Sequence, residues 1–359
     1  MKVLMVLPSL TQANGIVAFV FNYLKKIANK DISFTILASD MRPSNNYLDL
    51  ASFLDIDVHF VRNIEQNGFS NYYKDLKCFF KSNHDFDAVY SNVANQSLFV
   101  FRLAKKYGIK TRIIHSHATS AASSLFKRIR NNFLIFFMLR YATHYLACSD
   151  AAGKSMFKKR DFTVINNAID YEKYVFSLSK REKIRNEYNL IDKKVVGYVG
   201  RIVQQKNVLF LTDVCEKLPN EYVFLIIGTG NMKESLLDEV RKKRLTSRFI
   251  FVDECTNVDA FYSAMDYFVL PSFYEGLPVV GVEAQANGLP CFFSNRITKE
   301  VVISSNSFIL DIESANLWAN SIQEHSARLS NLELSTKFDI NVQCDLLFQT
   351  ISNAIRGIN

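Results

Sequence analysis

Short runs of apolar residues alternate with longer amphipathic segments along the whole chain, and this alternation starts again near the middle. Continuous apolar runs are typical of parallel strands that are covered on both faces, and the segments between them have helical periodicity. The pattern therefore predicts an α/β protein with two doubly wound, Rossmann-like domains. Ligands bind such domains beyond the carboxyl ends of the strands, so two edges that face each other would form a cleft.

The predicted strands of the first half are Val3–Leu7, Ser33–Leu37, Asp57–Val61, Ala88–Tyr90, Thr111–His115, Tyr145–Cys148 and Phe162–Ile165. Those of the second half are Lys194–Val199, Tyr222–Ile227, Phe249–Val252, Tyr267–Leu270 and Pro290–Phe293. Predicted helices cover Ile16–Ile27, Gln96–Tyr107, Val208–Leu218, Ser235–Lys243, Val258–Ser263, Val279–Asn287 and Asn341–Ile355. These elements predict an N-terminal domain at 1–170, a C-terminal domain at 171–340 and a final helix at 341–359 that packs back on the N-terminal domain. The linker is predicted near Asp170–Tyr174.

Composition narrows the class of protein without identifying it. The chain has 359 residues, of which 48% are apolar and 22% charged, as in ordinary globular proteins of two domains. Its six scattered cysteines form no C-x-x-C pair, which is typical of a reducing compartment. The longest apolar run, Phe133–Leu139, is far shorter than the ~20 residues that span a bilayer. We therefore expect a soluble, cytoplasmic protein.

The segment from Tyr267 to Pro290 has the strongest chemical signal, YFVLPSFYEGLPVVGVEAQANGLP. A predicted buried strand runs into a loop with Glu275 and Gly276, and Pro278 suits the first turn of the next helix. The free N–H groups of that helix start can bind hydroxyl or phosphate oxygens. Glu283 follows on the helix, and carboxylates suit hydroxyl-rich ligands. Taken alone, each glutamate is explained as well by a structural role as by ligand binding, Glu275 as a first-turn capping acid and Glu283 as a solvated helix residue. The apolar, glycine-flanked setting favours ligand binding.

A second segment, Gly197–Asn207, places two cations after another predicted strand. Gly200 lets the backbone approach a ligand closely. Arg201 supplies a planar fork and Lys206 a compact charge, a suitable pair for a diphosphate. The alternative is two solvated loop cations, which the neighbouring signal of Glu275 and Glu283 disfavours.

Together these motifs resemble glycosyltransferase family 4. They are G-R-x(4)-K-N, a G-x-G at 228–230, P-S-x-x-E-G-L-P and a Glu pair spaced E-x(7)-E. The chain is also similar to the bacterial capsular and exopolysaccharide subgroup in H-S-H at 115–117, A-C-S at 147–149, N-A-I-D at 167–170 and E-A-Q-A at 283–286. The resemblance covers nearly the whole chain. It implies the GT-B fold, two Rossmann-like domains facing a cleft, with the donor held mainly by the C-terminal domain.

The resemblance also implies roles for individual residues. Arg201 and Lys206 would bind the diphosphate, Glu283 the ribose, and Glu275 the transferred sugar. His117 would lie near the transferred sugar and the acceptor hydroxyl, with His115 as the competing candidate. The implied catalytic set is His117, Arg201, Lys206 and Glu275. The implied donor-binding set is Asn14, Gly15, Arg201, Lys206, Gly228, Gly230, Glu275, Gly276, Leu277 and Glu283.

Charge is concentrated in the first half of the chain. The stretch 88–149 has no Asp or Glu and nine Lys or Arg, against a net charge of +8 for the whole chain. Between Ser124 and Tyr141, phenylalanines interleave with cations, which predicts an amphipathic helix that binds an anionic membrane surface through 101–141. The alternatives are a core helix with solvated cations, or nucleic-acid binding, which no motif supports.

The predicted function is a retaining, metal-independent hexosyltransferase. It would move a hexose or N-acetylhexosamine from a nucleotide diphosphate sugar, expected to be a UDP-sugar, to a lipid-linked oligosaccharide in capsular or exopolysaccharide synthesis. No cofactor or nucleic-acid partner is expected, and the enzyme would lie on the inner face of the plasma membrane. The alternatives are another nucleotide-sugar enzyme, such as an epimerase or hydrolase, and a non-catalytic binding subunit of an assembly.

Overall fold

The computed structural model describes residues 1–11, 14–27, 30–39, 46–117, 125–253, 255, 257–325, 328–330 and 333–357, with the backbone alone at 125–128. It divides into two compact units. The first contains residues 1–168 and 340–359, and the second contains residues 169–339. The predicted boundaries were 170 and 340.

The first unit is built on a seven-stranded parallel sheet. Its strands are β1 (Lys2–Leu7), β2 (Ser33–Ala38), β3 (Asp57–Phe60), β4 (Ala88–Ser91), β5 (Thr111–Ser116), β6 (His144–Ala147) and β7 (Thr163–Val164). Its helices up to residue 168 are α1 (Gly15–Ile27), α2 (Leu48–Phe53), α3 (Ile64–Ser82), α4 (Ser97–Lys106), α5 (Leu125–Met138) and α6 (Asp150–Phe157). The strand order is β3-β2-β1-β4-β5-β6-β7, so the direction of winding reverses between β1 and β4.

The second unit repeats this plan with six parallel strands. They are β8 (Lys194–Val199), β9 (Tyr222–Ile227), β10 (Phe249–Val252), β11 (Tyr267–Leu270), β12 (Cys291–Ser294) and β13 (Ser307–Leu310). The helices are α7 (Tyr171–Tyr174), α8 (Leu178–Glu187), α9 (Phe210–Lys217), α10 (Lys233–Lys242), α11 (Val258–Ala264), α12 (Val279–Ala286) and α13 (Ala315–Glu324). Short 3₁₀ helices cover Gln204–Lys206, Thr246–Arg248, Lys299–Val301 and Thr336–Phe338. The order β10-β9-β8-β11-β12-β13 puts the reversal between β8 and β11.

The last helix, α14 (Ile340–Arg356), completes the core of the first unit. Its buried side chains include Cys344, Leu347 and Ile351, and the helix packs against α1. Gln343 accepts a hydrogen bond from the backbone N–H of Asn166 at 2.9 Å. The C-terminal segment is therefore part of the first unit.

A partly shielded carboxylate, Asp266, whose side chain is 21% exposed, fixes the two central strands of the second unit relative to each other. Asp266 precedes β11 and accepts hydrogen bonds from the side chains of Arg181 and Arg185 on α8. It also accepts one from the backbone N–H of Val195, at the start of β8, at 2.8 Å. Hydrogen bonds to a charged carboxylate are stronger than neutral ones, and without Asp266 its donors would lose this acceptor. The network therefore helps to hold β8 and β11 in register.

The element predictions were most accurate in the second unit, where β8, β9, β10 and β11 have the predicted bounds. The prediction missed the helices α2, α3, α6, α8 and α13. Of these, α3 contains Gly68 in a non-helical conformation with φ of 76°. The prediction also missed β13, and the segment predicted as a linker contains α7. Within the described residues, no helix is long and apolar enough to cross a membrane.

Candidate functional site

In the second unit, the loops that follow β8 and β11 lie side by side because these two strands are neighbours at the point of reversal. The backbone N–H of Phe273 donates to the carbonyl of Gln205 at 2.9 Å. The side-chain amide of Gln205 donates to the carbonyl of Tyr274 at 2.8 Å. Ligands of doubly wound domains bind in the crevice at such a reversal. The two sequence motifs therefore meet at the expected place for a ligand.

The centre of this site is an ion pair between Lys206 and Glu275. The Lys206 ammonium donates a hydrogen bond to Oε1 of Glu275, and the two side chains are 12% and 10% exposed. The partners are 69 residues apart in the chain. Lys206, the residue predicted to bind the diphosphate, thus contacts Glu275, the residue predicted to bind the sugar.

Three further predicted residues lie around this pair. The Arg201 side chain is exposed, and no described residue pairs with it, while its carbonyl accepts a hydrogen bond from Tyr198 at 2.8 Å. Gly276 is exposed and has no atom within 4 Å of where a Cβ would stand. Leu277 packs against the core just before α12. Arg201 and Gly276 are therefore open to a ligand.

Gly228 and Gly230 have a packing role that the sequence did not indicate. A Cβ on Gly228 would lie 2.2 Å from the carbonyl oxygen of Gly200, and one on Gly230 would lie 2.2 Å from that of Ile202. The backbone N–H of Ile202 also donates to the carbonyl of Thr229 at 2.8 Å. The two glycines thus let the loop after β9 pack directly on the loop after β8.

Glu283, on α12, is held by two tyrosine hydroxyls. Tyr174 donates to Oε1 and Tyr262 donates to Oε2, each at 2.8 Å. Burial raises the pKa of the Glu283 carboxyl above its ordinary value, and the two hydrogen bonds oppose that rise. Glu283 is therefore not a freely solvated helix residue.

In the first unit, Asn14 is the N-cap of α1, at the carboxyl end of β1. Its side-chain oxygen accepts hydrogen bonds from the N–H groups of Ile16 at 3.0 Å and Val17 at 3.4 Å. Capping satisfies donors that the first helical turn leaves free. Gly15 is exposed, with no atom within 4 Å of a Cβ position. The Asn14 side chain thus caps the first turn of α1. Because Gly15 has no side chain, the start of the helix remains accessible to a ligand.

His115 and His117 lie at the end of β5 with their ring centroids 4.1 Å apart. His115 is buried, with Nδ1 2.6 Å from the Tyr90 hydroxyl, and its Nε2 has no partner among the described residues. The Nε2 of His117 is 2.8 Å from the side-chain oxygen of Asn92. Since an amide oxygen only accepts, His117 carries its proton on Nε2 and leaves Nδ1 as an acceptor. Burial lowers the pKa of both rings, that of His117 to about 3.

Sequence reasoning missed the partners that hold these residues: Tyr90, Asn92, Tyr174 and Tyr262. Asn92 directly follows β4, at the reversal of the first sheet, so its position at a strand end was a usable signal. Tyr174 and Tyr262 lie in different helices, and no spacing rule connects them with Glu283. No group of three or more His, Cys, Asp or Glu that could hold a metal ion occurs among the described residues.

Comparison with known proteins places the chain among glycosyltransferases. Residues 180–337 match the family described as glycosyl transferases group 1. The chain is 28% identical over 311 residues to the putative glycosyltransferase EpsF of Bacillus subtilis strain 168, covering 84% of this chain and 80% of EpsF. It is 23% identical over 323 residues to an Escherichia coli UDP-Gal:alpha-D-GlcNAc-diphosphoundecaprenol alpha-1,3-galactosyltransferase, covering 82% and 80%.

The crystal structure of HepE from Anabaena in complex with UDP has the same fold. It superposes with a TM-score of 0.82 at 18% identity, covering 98% of this chain and 100% of HepE. The fold and the matches define a GT-B glycosyltransferase. They confirm the predicted resemblance to family 4 and to its bacterial capsular and exopolysaccharide members.

Because burial holds the pKa of His117 near 3, its ring should stay neutral throughout the physiological range. We predict that the imidazole signals of His117 in an NMR titration do not shift between pH 5 and 8, around the ordinary histidine pKa of about 6.5. A His117→Asn variant assigns the signals. A titration midpoint near the ordinary value would show that the ring is solvated rather than packed.

Proposed function

We propose that the protein is a retaining glycosyltransferase that transfers a hexose or N-acetylhexosamine from a UDP-sugar to a lipid-linked oligosaccharide in capsular or exopolysaccharide synthesis. The observation that carries the proposal is the shielded Lys206–Glu275 pair at the reversal between β8 and β11. The choice of donor is supported by HepE, which has crystal structures in complex with UDP and with UDP-glucose. The choice of acceptor is supported by the E. coli relative, whose name specifies a diphosphoundecaprenol-linked sugar.

The charges of Lys206 and Glu275 suit these residues to assist cleavage of the bond between the sugar and the phosphate. Negative charge builds on the leaving diphosphate as this bond breaks, and preplaced cations stabilise that charge most in the transition state. Lys206 would exchange its contact with Glu275 for the diphosphate, and the exposed Arg201 would approach the same group. Glu275, once released, is free to accept hydrogen bonds from the hydroxyls of the sugar.

The proposal requires no protein nucleophile and no metal. In a retaining reaction of this kind, the leaving phosphate takes the proton of the acceptor hydroxyl as the new bond forms. His117 is suited to orient a hydroxyl rather than to ionise, since it is neutral and presents Nδ1 as an acceptor. The start of α1 at Asn14 and Gly15 would approach the phosphate or the sugar.

We further propose that the enzyme works as a peripheral protein on the inner face of the plasma membrane. On α5, Ile129, Phe133 and Phe136 are 60%, 62% and 58% exposed and share one helix face. The exposed cations nearby in the chain are Arg102, Lys105, Lys106, Lys110, Arg130 and Arg140. Exposed aromatics beside cations suit an anionic bilayer.

Two parts of the predicted membrane segment do not contribute to this argument. Arg112 is buried, and its guanidinium donates to the carbonyls of Ile109, Lys110 and Tyr141. Arg112 therefore adds no exposed cation to the segment 101–141. Residues 118–124 lie outside the described part of the chain, as do the side chains of Lys127 and Arg128.

The donor site is tested by binding and slow hydrolysis across a panel of nucleotide sugars. We expect one UDP-sugar to bind and to be hydrolysed slowly, and Lys206→Ala and Glu275→Ala each to lower hydrolysis by about 100-fold, the scale of one lost transition-state contact. The matched control is Lys243→Ala. Lys243 is similarly shielded, at 16% exposure, and is paired with Asp213 and Glu216 elsewhere in the second unit.

Each other outcome of this experiment indicates a different function or a different site. An epimerised nucleotide sugar would indicate the epimerase alternative, and binding without turnover or transfer would indicate an assembly subunit. Unchanged hydrolysis in both variants would contradict the site assignment.

Membrane binding is tested by flotation with vesicles. We expect the Phe133→Ser/Phe136→Ser variant to lose about tenfold in binding to vesicles that contain phosphatidylglycerol, because two inserted rings are removed. Phe53→Ser is the control, since Phe53 is 85% exposed on α2 of the same unit. The wild type should bind neutral vesicles weakly. Equal binding to anionic and neutral lipid, or no effect of the double substitution, would refute the proposal.

A further inference from the structure

The carboxylate of Glu283 is fixed from two sides by groups that the proposed donor site does not itself require. We infer that Tyr174 and Tyr262 are positioning residues, which orient Glu283 so that it accepts hydrogen bonds from the ribose hydroxyls of the donor nucleotide. This inference rests on the proposed function. It adds two residues that act on the donor through Glu283.

The geometry leaves one acceptor position open on each carboxylate oxygen. Oε1 accepts from Tyr174 and Oε2 from Tyr262, both at 2.8 Å. Each oxygen of an ionised carboxylate has two acceptor positions, so one on each oxygen remains for a ligand. The neighbouring hydroxyls of a ribose present two donors at the matching spacing. The two tyrosine hydroxyls prevent the carboxylate from rotating. It is thus oriented in advance to accept two hydrogen bonds from a vicinal diol.

The same two bonds keep the carboxylate charged. Burial disfavours the ionised form of Glu283, whereas hydrogen bonds donated by the tyrosines favour it. Lys173 acts in the same direction as the tyrosines, and Asp259 acts against them. Burial also raises the pKa of Tyr174 and Tyr262, so both remain protonated donors. The tyrosines therefore maintain an acceptor where an unassisted buried carboxyl would tend to protonate.

Both tyrosines are themselves anchored through their backbones. Asn287 donates from its side-chain amide to the carbonyl of Tyr174 at 2.6 Å. Arg328 donates to the carbonyl of Asn287 at 2.7 Å, to that of Met265 at 2.6 Å and to that of Tyr262 at 3.3 Å. The Tyr262 side chain is fully buried, and Tyr174 is 7% exposed. Rigid supports of this kind let a hydroxyl fix the direction of its partner.

The experiment measures affinity for UDP and for 2′,3′-dideoxy-UDP, which lacks both ribose hydroxyls, by calorimetry. We expect the wild type to prefer UDP by about 100-fold, since each of the two lost hydrogen bonds to a charged group is worth about tenfold. Tyr174→Phe and Tyr262→Phe should each weaken UDP binding by about fivefold and leave dideoxy-UDP binding nearly unchanged. A merely structural role would weaken both nucleotides equally.

Tyr171→Phe is the matched control. Tyr171 lies on α7 with Tyr174, but its hydroxyl donates to the carbonyl of Ser335 at 2.8 Å. This variant should keep the wild-type preference for UDP. If Tyr262→Phe unfolds because its site is fully buried, Tyr174→Phe alone decides the question through the ratio of the two affinities.

Equal losses for both nucleotides, or an unchanged preference for UDP in the phenylalanine variants, would overturn the inference while leaving the donor site in place. A wild type that binds no uridine nucleotide would overturn the proposed function, and the inference with it. The two failures are therefore distinguishable by the wild-type titration alone.

Discussion

Lys206 and Glu275 carry opposite charges where their side chains are only 12% and 10% exposed. Removing two charges from water is costly, and a shielded pair survives because each charge compensates the other. The position of this pair depends on the adjacency of β8 and β11, on the joined loops after them and on the network around Asp266. A donor with a negative diphosphate and a hydroxyl-rich sugar offers each partner a replacement. The pair therefore keeps both side chains in place, and on the proposed function the donor is the ligand that separates them.

In both units, the reversal of the sheet's winding brings polar and charged residues from distant parts of the chain close together. A parallel sheet whose winding reverses opens a crevice at the reversal, and the loops beside it come from distant parts of the chain. In the second unit, that crevice gathers the motifs after β8 and β11. In the first unit, Asn92 follows β4 and Asn14 caps the helix after β1, at the corresponding reversal. The fold thus explains why the functional motifs are short and far apart in the sequence.

The sequence was sufficient for the class of fold, and it singled out the motifs after β8 and β11 that the structure brings together, because both depend on local patterns. The strand Tyr267–Leu270 is continuously apolar, and P-S-x-x-E-G-L-P follows it directly. What could not be predicted depends on packing between distant segments. Nothing in the sequence around Tyr174 or Tyr262 shows that both hydroxyls meet Glu283, and nothing around Gly230 shows that it packs on Ile202. The roles of the predicted site residues in binding the substrate are predictions of the family resemblance, for Arg201, Lys206, Glu275 and Glu283 as for His117, Gly228 and Gly230.

The most direct test of this account is a crystal structure of the protein with its UDP-sugar bound. The account predicts that the Lys206 ammonium leaves Glu275 and lies within hydrogen-bonding distance of the diphosphate, while Glu275 contacts the sugar. A donor bound elsewhere, or bound at the loops after β8 and β11 with the Lys206–Glu275 pair intact, would contradict it.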